Sequence, residues 1–201
     1  MIRVTIPGVL AALLLAATSS QAGQSDLPAD YDGPPIPVAP EVITRDATGA
    51  RATIRAVRLT SPLKIDGRLE EEVYQTVKPI SDFIQQEPVE GAPATEKTDV
   101  WLFFDNDNFY VMARCWDTHP EREIATEMRR DGGRVPRNED LAFGLDSLYD
   151  HRNGYNFELT PAGGVLDGQI TNDGAFDASW NGVWQHSAAR CRPAPITIGA
   201  R

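Results

Sequence analysis

Trp180 follows the polar run Thr171-Asn172-Asp173-Gly174 and precedes Asn181-Gly182, so its indole sits in turn-forming surroundings. A tryptophan placed this way can lay its flat face against the C–H face of a sugar ring, while nearby carboxylates and amides take the hydroxyls. The same position also suits an indole that caps a sheet edge together with Trp184. Asp146 interrupts the apolar stretch Leu141 to Tyr149. A carboxylate there must find partners, and Arg152 or a bound ion are the candidates. Asn156 and Glu158 alternate with Tyr155, Phe157 and Leu159. They therefore point away from the apolar face and are further candidate ligand contacts.

Nothing in the chain reads as catalytic machinery. Asp105-Asn106-Asp107 opens like a calcium loop, but Tyr110 stands where that loop needs glycine and Trp116 where it needs glutamate. A hairpin turn explains the triplet better. His119, His151 and His186 are too far apart for zinc-ligand spacing. No glycine-rich phosphate loop or nucleophile elbow occurs. The expectation is a binding protein with no catalytic residue, metal or cofactor of its own.

Positioning falls to strands. In Thr98 to Asp117, Val100–Phe104 and Phe109–Cys115 are apolar on both faces and flank Asn106-Asp107. That pattern predicts a hairpin buried on both sides, in the middle of a layered structure. Leu141–Tyr149, Tyr155–Thr160 and Val165–Thr171 predict further strands, separated by Asp150-His151-Arg152-Asn153-Gly154 and Pro161-Ala162-Gly163-Gly164. Trp180 to Gln185 predicts another. Val100, Leu102, Phe104, Val111, Phe157 and Leu159 are the expected core, with Trp101 and Trp116 buried by default. Arg68 to Tyr74 predicts one short helix, with Leu69 and Val73 inward and Glu70, Glu71 and Glu72 in a first turn favoured by the helix dipole. The sum is an all-β antiparallel sandwich, jelly-roll-like.

Composition sets the outer limits. Nineteen basic residues against 29 acidic ones argue against nucleic acid and against anionic membrane surfaces as partners. Residues 1–22 read as a signal peptide: Arg3, an apolar run from Val4 to Ala17, and small residues before a cut after Ala22. Export to the periplasm or outer membrane follows. Residues 23–50 read as a proline-rich linker, and 51–187 as the sandwich. Residues 188–201 read as an irregular tail of the kind a truncated or frame-shifted chain would carry. Cys115 reads as a small buried hydrophobe, with a bridge to Cys191 as the alternative.

Several blocks resemble a known family. Ile65-Asp66-Gly67-Arg68-Leu69-Glu70-Glu71-Glu72-Val73-Tyr74 resembles the IDGxLDExxW opening of carbohydrate-binding module family 9. Lys97 to Asp117 is similar to its central hairpin. Leu145 to Phe157 resembles the LDTFxDxRNxYxF run found where such a module begins a larger bacterial outer-membrane barrel protein. Pro161 to Val165 and Trp180 to Trp184 continue the pattern. The resemblance implies a non-catalytic domain that binds an oligo- or polysaccharide, often joined to glycoside hydrolases. It also implies partnership with an outer-membrane barrel. Pro136-Arg137-Asn138 stand where sugar-binding members carry one clamping tryptophan. The alternative from a different class is a periplasmic protein-interaction or plug domain. A third is haem binding through Met112 or Met128 with a lysine or histidine.

Overall fold

The computed structural model describes residues 27–28, 31–49, 51–190 and 196–200. The chain divides into units 1–32 and 33–201, and the sheets lie in the second. Three short strands come first: β1 (Ile43–Arg45), β2 (Ala52–Ile54) and β3 (Val57–Arg58). A single helical turn, α1 (Val73–Thr76), precedes the hairpin of β4 (Thr98–Phe104) and β5 (Phe109–Cys115). Then come β6 (Leu141–Leu145), β7 (Gly154–Leu159), β8 (Val165–Thr171) and β9 (Ala175–Asp177). Strands β10 (His186–Arg190) and β11 (Ile196–Ala200) complete the series.

These strands form a β1–β2 pair, a five-stranded sheet ordered β10-β11-β5-β4-β3, and a four-stranded sheet ordered β6-β7-β8-β9. The fold is an all-β sandwich-like one, as the sequence predicts. Its pairings are antiparallel except β3 with β4, which is parallel.

Register explains why the central hairpin is apolar on both sides, because directly opposed residues of an antiparallel pair share a face. Trp101 opposes Met112 and Phe103 opposes Tyr110. That face packs on Leu63, Leu69 and Tyr74, whose ring meets Trp101 and Phe103 edge-on at 5.5 and 5.8 Å. The Trp101 Nε1–H donates to the Val77 carbonyl at 3.0 Å, which satisfies the one polar atom of a buried indole. On the opposite face Val111 and Ala113 stand beside Ala200 and Ile198 of β11. Ile196 and Ile198 form one cluster with Leu159 and Val165 of the other sheet, and this contact joins the two layers.

Five expectations need correction. The helix is shorter and later than 68–74: Glu72 is its N-cap and its first turn holds no acidic residue. Just before this segment Gly67, at φ +77°, turns close against the backbone of Ala188 and Ala189. Glu71 accepts the Lys64 amide at 3.1 Å and so holds the preceding loop, not the helix dipole. The 23–50 segment is not linker throughout, since Ile43 pairs with Ile54 and Val42 is buried.

Residues 180–185 are irregular, and the strand begins at His186. Residues 196–200 are no tail: β11 lies between β10 and β5, all five residues buried. Ile196 and Ile198 face the sandwich interior while Thr197 Oγ1 donates to the Gly67 carbonyl, a period of two that five residues barely declare. Finally, Trp101 and Phe103 are the buried side of β4, whereas Val100, Leu102 and Phe104 are half-buried. The predicted signal peptide (residues 1–22) and Cys191 lie outside the described residues. Burial raises the Cys115 thiol above its ordinary pKa.

Candidate functional site

The inner face of the four-stranded sheet carries Leu141, Phe143 and Leu145 on β6, Tyr155, Phe157 and Leu159 on β7, and Val165, Asp167 and Gln169 on β8. Its Leu159–Val165 end packs on Ile196 and Ile198 of β11. At the other end the sheets part, leaving an open cleft of about 370 Å³. That is near the small end of the roughly 300–1,000 Å³ typical of ligand pockets. Its wall on one side is Phe143 and Phe157, whose rings stack at 5.2 Å. Across from them stand Phe109, Val111 and Ala200, with Asp107 and Asn108 at the lip.

The loop after β9 supplies two tryptophans to this cleft. Asp177 Oδ1 accepts the Ser179 amide at 2.9 Å and its hydroxyl at 2.6 Å, which turns the chain back toward the sheet. Asp167, fully buried, accepts the Gly182 amide at 2.6 Å. Arg130 grips Asp167 through two hydrogen bonds of 2.6 and 2.7 Å and donates to Asn181 Oδ1 at 3.0 Å. The loop is thereby tied to β8 from both sides. Trp180 lies against Tyr155, ring centroids 4.6 Å apart at 31°, and edge-on to Phe157 at 6.1 Å. Trp184 meets Phe157 edge-on at 5.2 Å. Five aromatic rings therefore share one wall.

Behind this wall lies His186, 4.9 Å from Trp184. Burial, and then the positive charge of Arg130, hold its pKa below the ordinary histidine value. Its Nδ1 and the Trp184 Nε1 are buried without a protein partner. Such groups each cost about 1–3 kcal/mol when left unsatisfied.

The other predicted site residues go elsewhere. Asp146 is bonded by backbone amides and not by Arg152. Its Oδ2 accepts the His151 amide at 2.8 Å, and Oδ1 accepts those of Leu148 and Asp150 at 3.1 and 3.3 Å. These bonds, the His151 one foremost, lower its pKa and wind a loop in which Tyr149 and His151 have φ of +53° and +57°. Asn156 and Glu158 hydrogen-bond each other at 2.9 Å. They sit on the outer face of β7, opposite to Phe157, so the structure does not bring them to Trp180. Met112 is fully buried beneath the α1 segment, whereas Met128 is 72% exposed.

Sequence reasoning missed Phe143, Trp184, Phe109 and the Arg130–Asp167 anchor as parts of one site. The alternation of Phe143 with Ala142 and Gly144 did mark an inward face, but no spacing reveals an anchor 37 residues apart. A second cleft, of about 290 Å³, lies between Arg58–Leu63 and the α1 segment, and no aromatic ring lines it among the described residues. No group of three or more histidine, cysteine or acidic side chains is arranged to hold a metal among the described residues. None of their helices is long and apolar enough to cross a membrane. Comparison with protein-family models, curated proteins and solved structures finds no match to this chain.

Proposed function

We propose that the chain is a non-catalytic carbohydrate-binding domain, exported to the periplasm or outer membrane, whose aromatic cleft receives a sugar ring. The observation that carries this reading is the cleft itself. Phe143, Phe157, Trp180 and Trp184 present apolar ring surface, and the polar residues Asp107 and Asn108 line the same cleft. A pyranose has the matching anatomy, with apolar C–H faces and a polar rim. The family 9 resemblance of the sequence blocks points the same way.

Calorimetry with soluble oligosaccharides tests it. Wild type should bind at least one class, and Trp180→Ala should lose most of that affinity, because hydrogen bonds in a wet cleft do not replace the lost ring contact. Asn156→Ala, on the outer face, should bind like wild type. Equal binding by Trp180→Ala would remove the cleft from consideration.

A protein-docking role is the second reading. It is favoured by Phe83, Ile84 and Val89, which are exposed together on the 83–94 loop. Wild type that binds no oligosaccharide would favour it.

A further inference from the structure

We infer that the cleft selects uncharged or amine-bearing sugars against acidic ones, and that Asp107 is the residue that sets this preference. The inference rests on the carbohydrate reading of the same cleft. Among the described residues that line it, Asp107 is the one ionisable side chain and none is basic. The guanidinium of Arg130, which anchors the tryptophan loop, is committed to Asp167 and Asn181. A uronate or sulfate entering the cleft would therefore meet a carboxylate and find no counter-charge among the described lining side chains. The chain as a whole carries a formal charge of −10, so the long-range field also opposes anions.

Asp107 is held in place by its neighbours. Asp105 Oδ1 accepts the amides of Asp107 and Asn108, each at 2.8 Å, and Asp105 Oδ2 accepts the Tyr110 hydroxyl at 2.6 Å. Those bonds, the Tyr110 one foremost, hold the Asp105 carboxyl down to about 2, so the turn keeps its charge and shape across the useful pH range. The backbone of the β4–β5 turn is thereby fixed where it carries Asp107 beside the cleft. A fixed backbone leaves only the short aspartate side chain to be ordered when a ligand arrives, which keeps the cost of using that charge small.

The test uses the whole chain and four soluble probes in calorimetry at low salt: cello-oligosaccharide, xylo-oligosaccharide, chitosan oligosaccharide and oligogalacturonate. The expected result is binding of a neutral or amino probe at least about tenfold tighter than oligogalacturonate, with the gap shrinking as salt screens the carboxylate. Asp107→Asn should narrow that ratio by roughly threefold or more. Oligogalacturonate binding as tightly as the neutral probes, or a ratio unmoved by Asp107→Asn in a chain with wild-type circular dichroism, overturns the charge inference and leaves the carbohydrate reading standing. No binding of any probe by wild type overturns both.

Discussion

Arg130 closes on both carboxylate oxygens of Asp167, at 2.6 and 2.7 Å, and the carboxylate it neutralises is fully buried while the arginine remains 37% exposed. The pair joins the segment before β6 to the middle of β8 and, through Asn181 and Gly182, to the loop bearing both cleft tryptophans. Removing the cation leaves a buried anion with a single amide for company. Arg130→Ala should therefore destabilise the fold by about 3 kcal/mol, the lower end of the cost of breaking a buried pair, because water still reaches the arginine. It should also free Trp180, seen as a red-shifted and more quenchable emission. Urea midpoints that move by less than about 1 kcal/mol would mean that the anchor is dispensable.

Gly67 offers a second, controlled comparison. A methyl group there would lie 2.7 Å from the Ala189 amide nitrogen, at a backbone φ of +77°, while Gly163, at +88°, has open space around it. Gly163→Ala should cost only the left-handed backbone penalty, about 1–2 kcal/mol. Gly67→Ala should cost roughly 1–3 kcal/mol more, because the overlap is with backbone that cannot rotate away. Similar losses for the two would show that the 65–69 turn does not rest on β10.

Much of the architecture was legible because it rests on local pattern. The Thr98–Cys115 hairpin declares itself through two apolar runs around Asn106-Asp107, and Tyr155 to Leu159 through strict alternation. What failed was whatever depends on distant partners. Ile196-Thr197-Ile198 is too short to prove a strand until β5 offers it Cys115, Arg114 and Ala113 as neighbours. Glu70-Glu71-Glu72 looks like a helix start until Glu71 is seen to accept the Lys64 amide of the preceding loop. The candidate site follows the same rule. Trp180 was visible from its polar neighbours, but its companions on the cleft wall come from β6, β7 and the far side of a loop whose anchor is Arg130. Asp146 misled for a related reason: a carboxylate that interrupts an apolar run signals unmet demand, and backbone amides four and five residues away answered it.

Two phenylalanines on different layers should respond differently to truncation. Phe103 is completely buried among Tyr74, Tyr110 and Trp101, so Phe103→Ala should cost about 3–5 kcal/mol. Phe157 is half-buried and lines the open cleft. Phe157→Ala leaves no sealed cavity there, and its stability loss should be roughly half as large. Its effect on oligosaccharide affinity should be the larger one instead. Equal stability losses for the two variants would mean that the cleft is closed in solution.

Asp140, at the head of β6, has its carboxyl pushed up to about 6, first by burial and then by the negative charge of Glu158 on the neighbouring strand. In the unfolded chain an aspartate titrates near 3.9. Between about pH 4 and 6 the folded protein therefore binds more protons at this site than the unfolded one, and its contribution to stability falls as pH rises. Below that window both states are protonated and the penalty vanishes; above it the penalty is complete. Much of Asp140 still touches solvent, so the amplitude is modest. Asp105 and Glu127, both held down to about 2, act in the opposite sense and lose their contribution only as pH drops below about 4. Asp140→Asn should thus flatten the decline in urea midpoint across pH 4–6 and leave the acid limb in place. Glu158→Gln should lower the Asp140 carboxyl pKa seen by carbon NMR. A wild-type slope retained by Asp140→Asn would show that Asp140 is already ionised throughout this range.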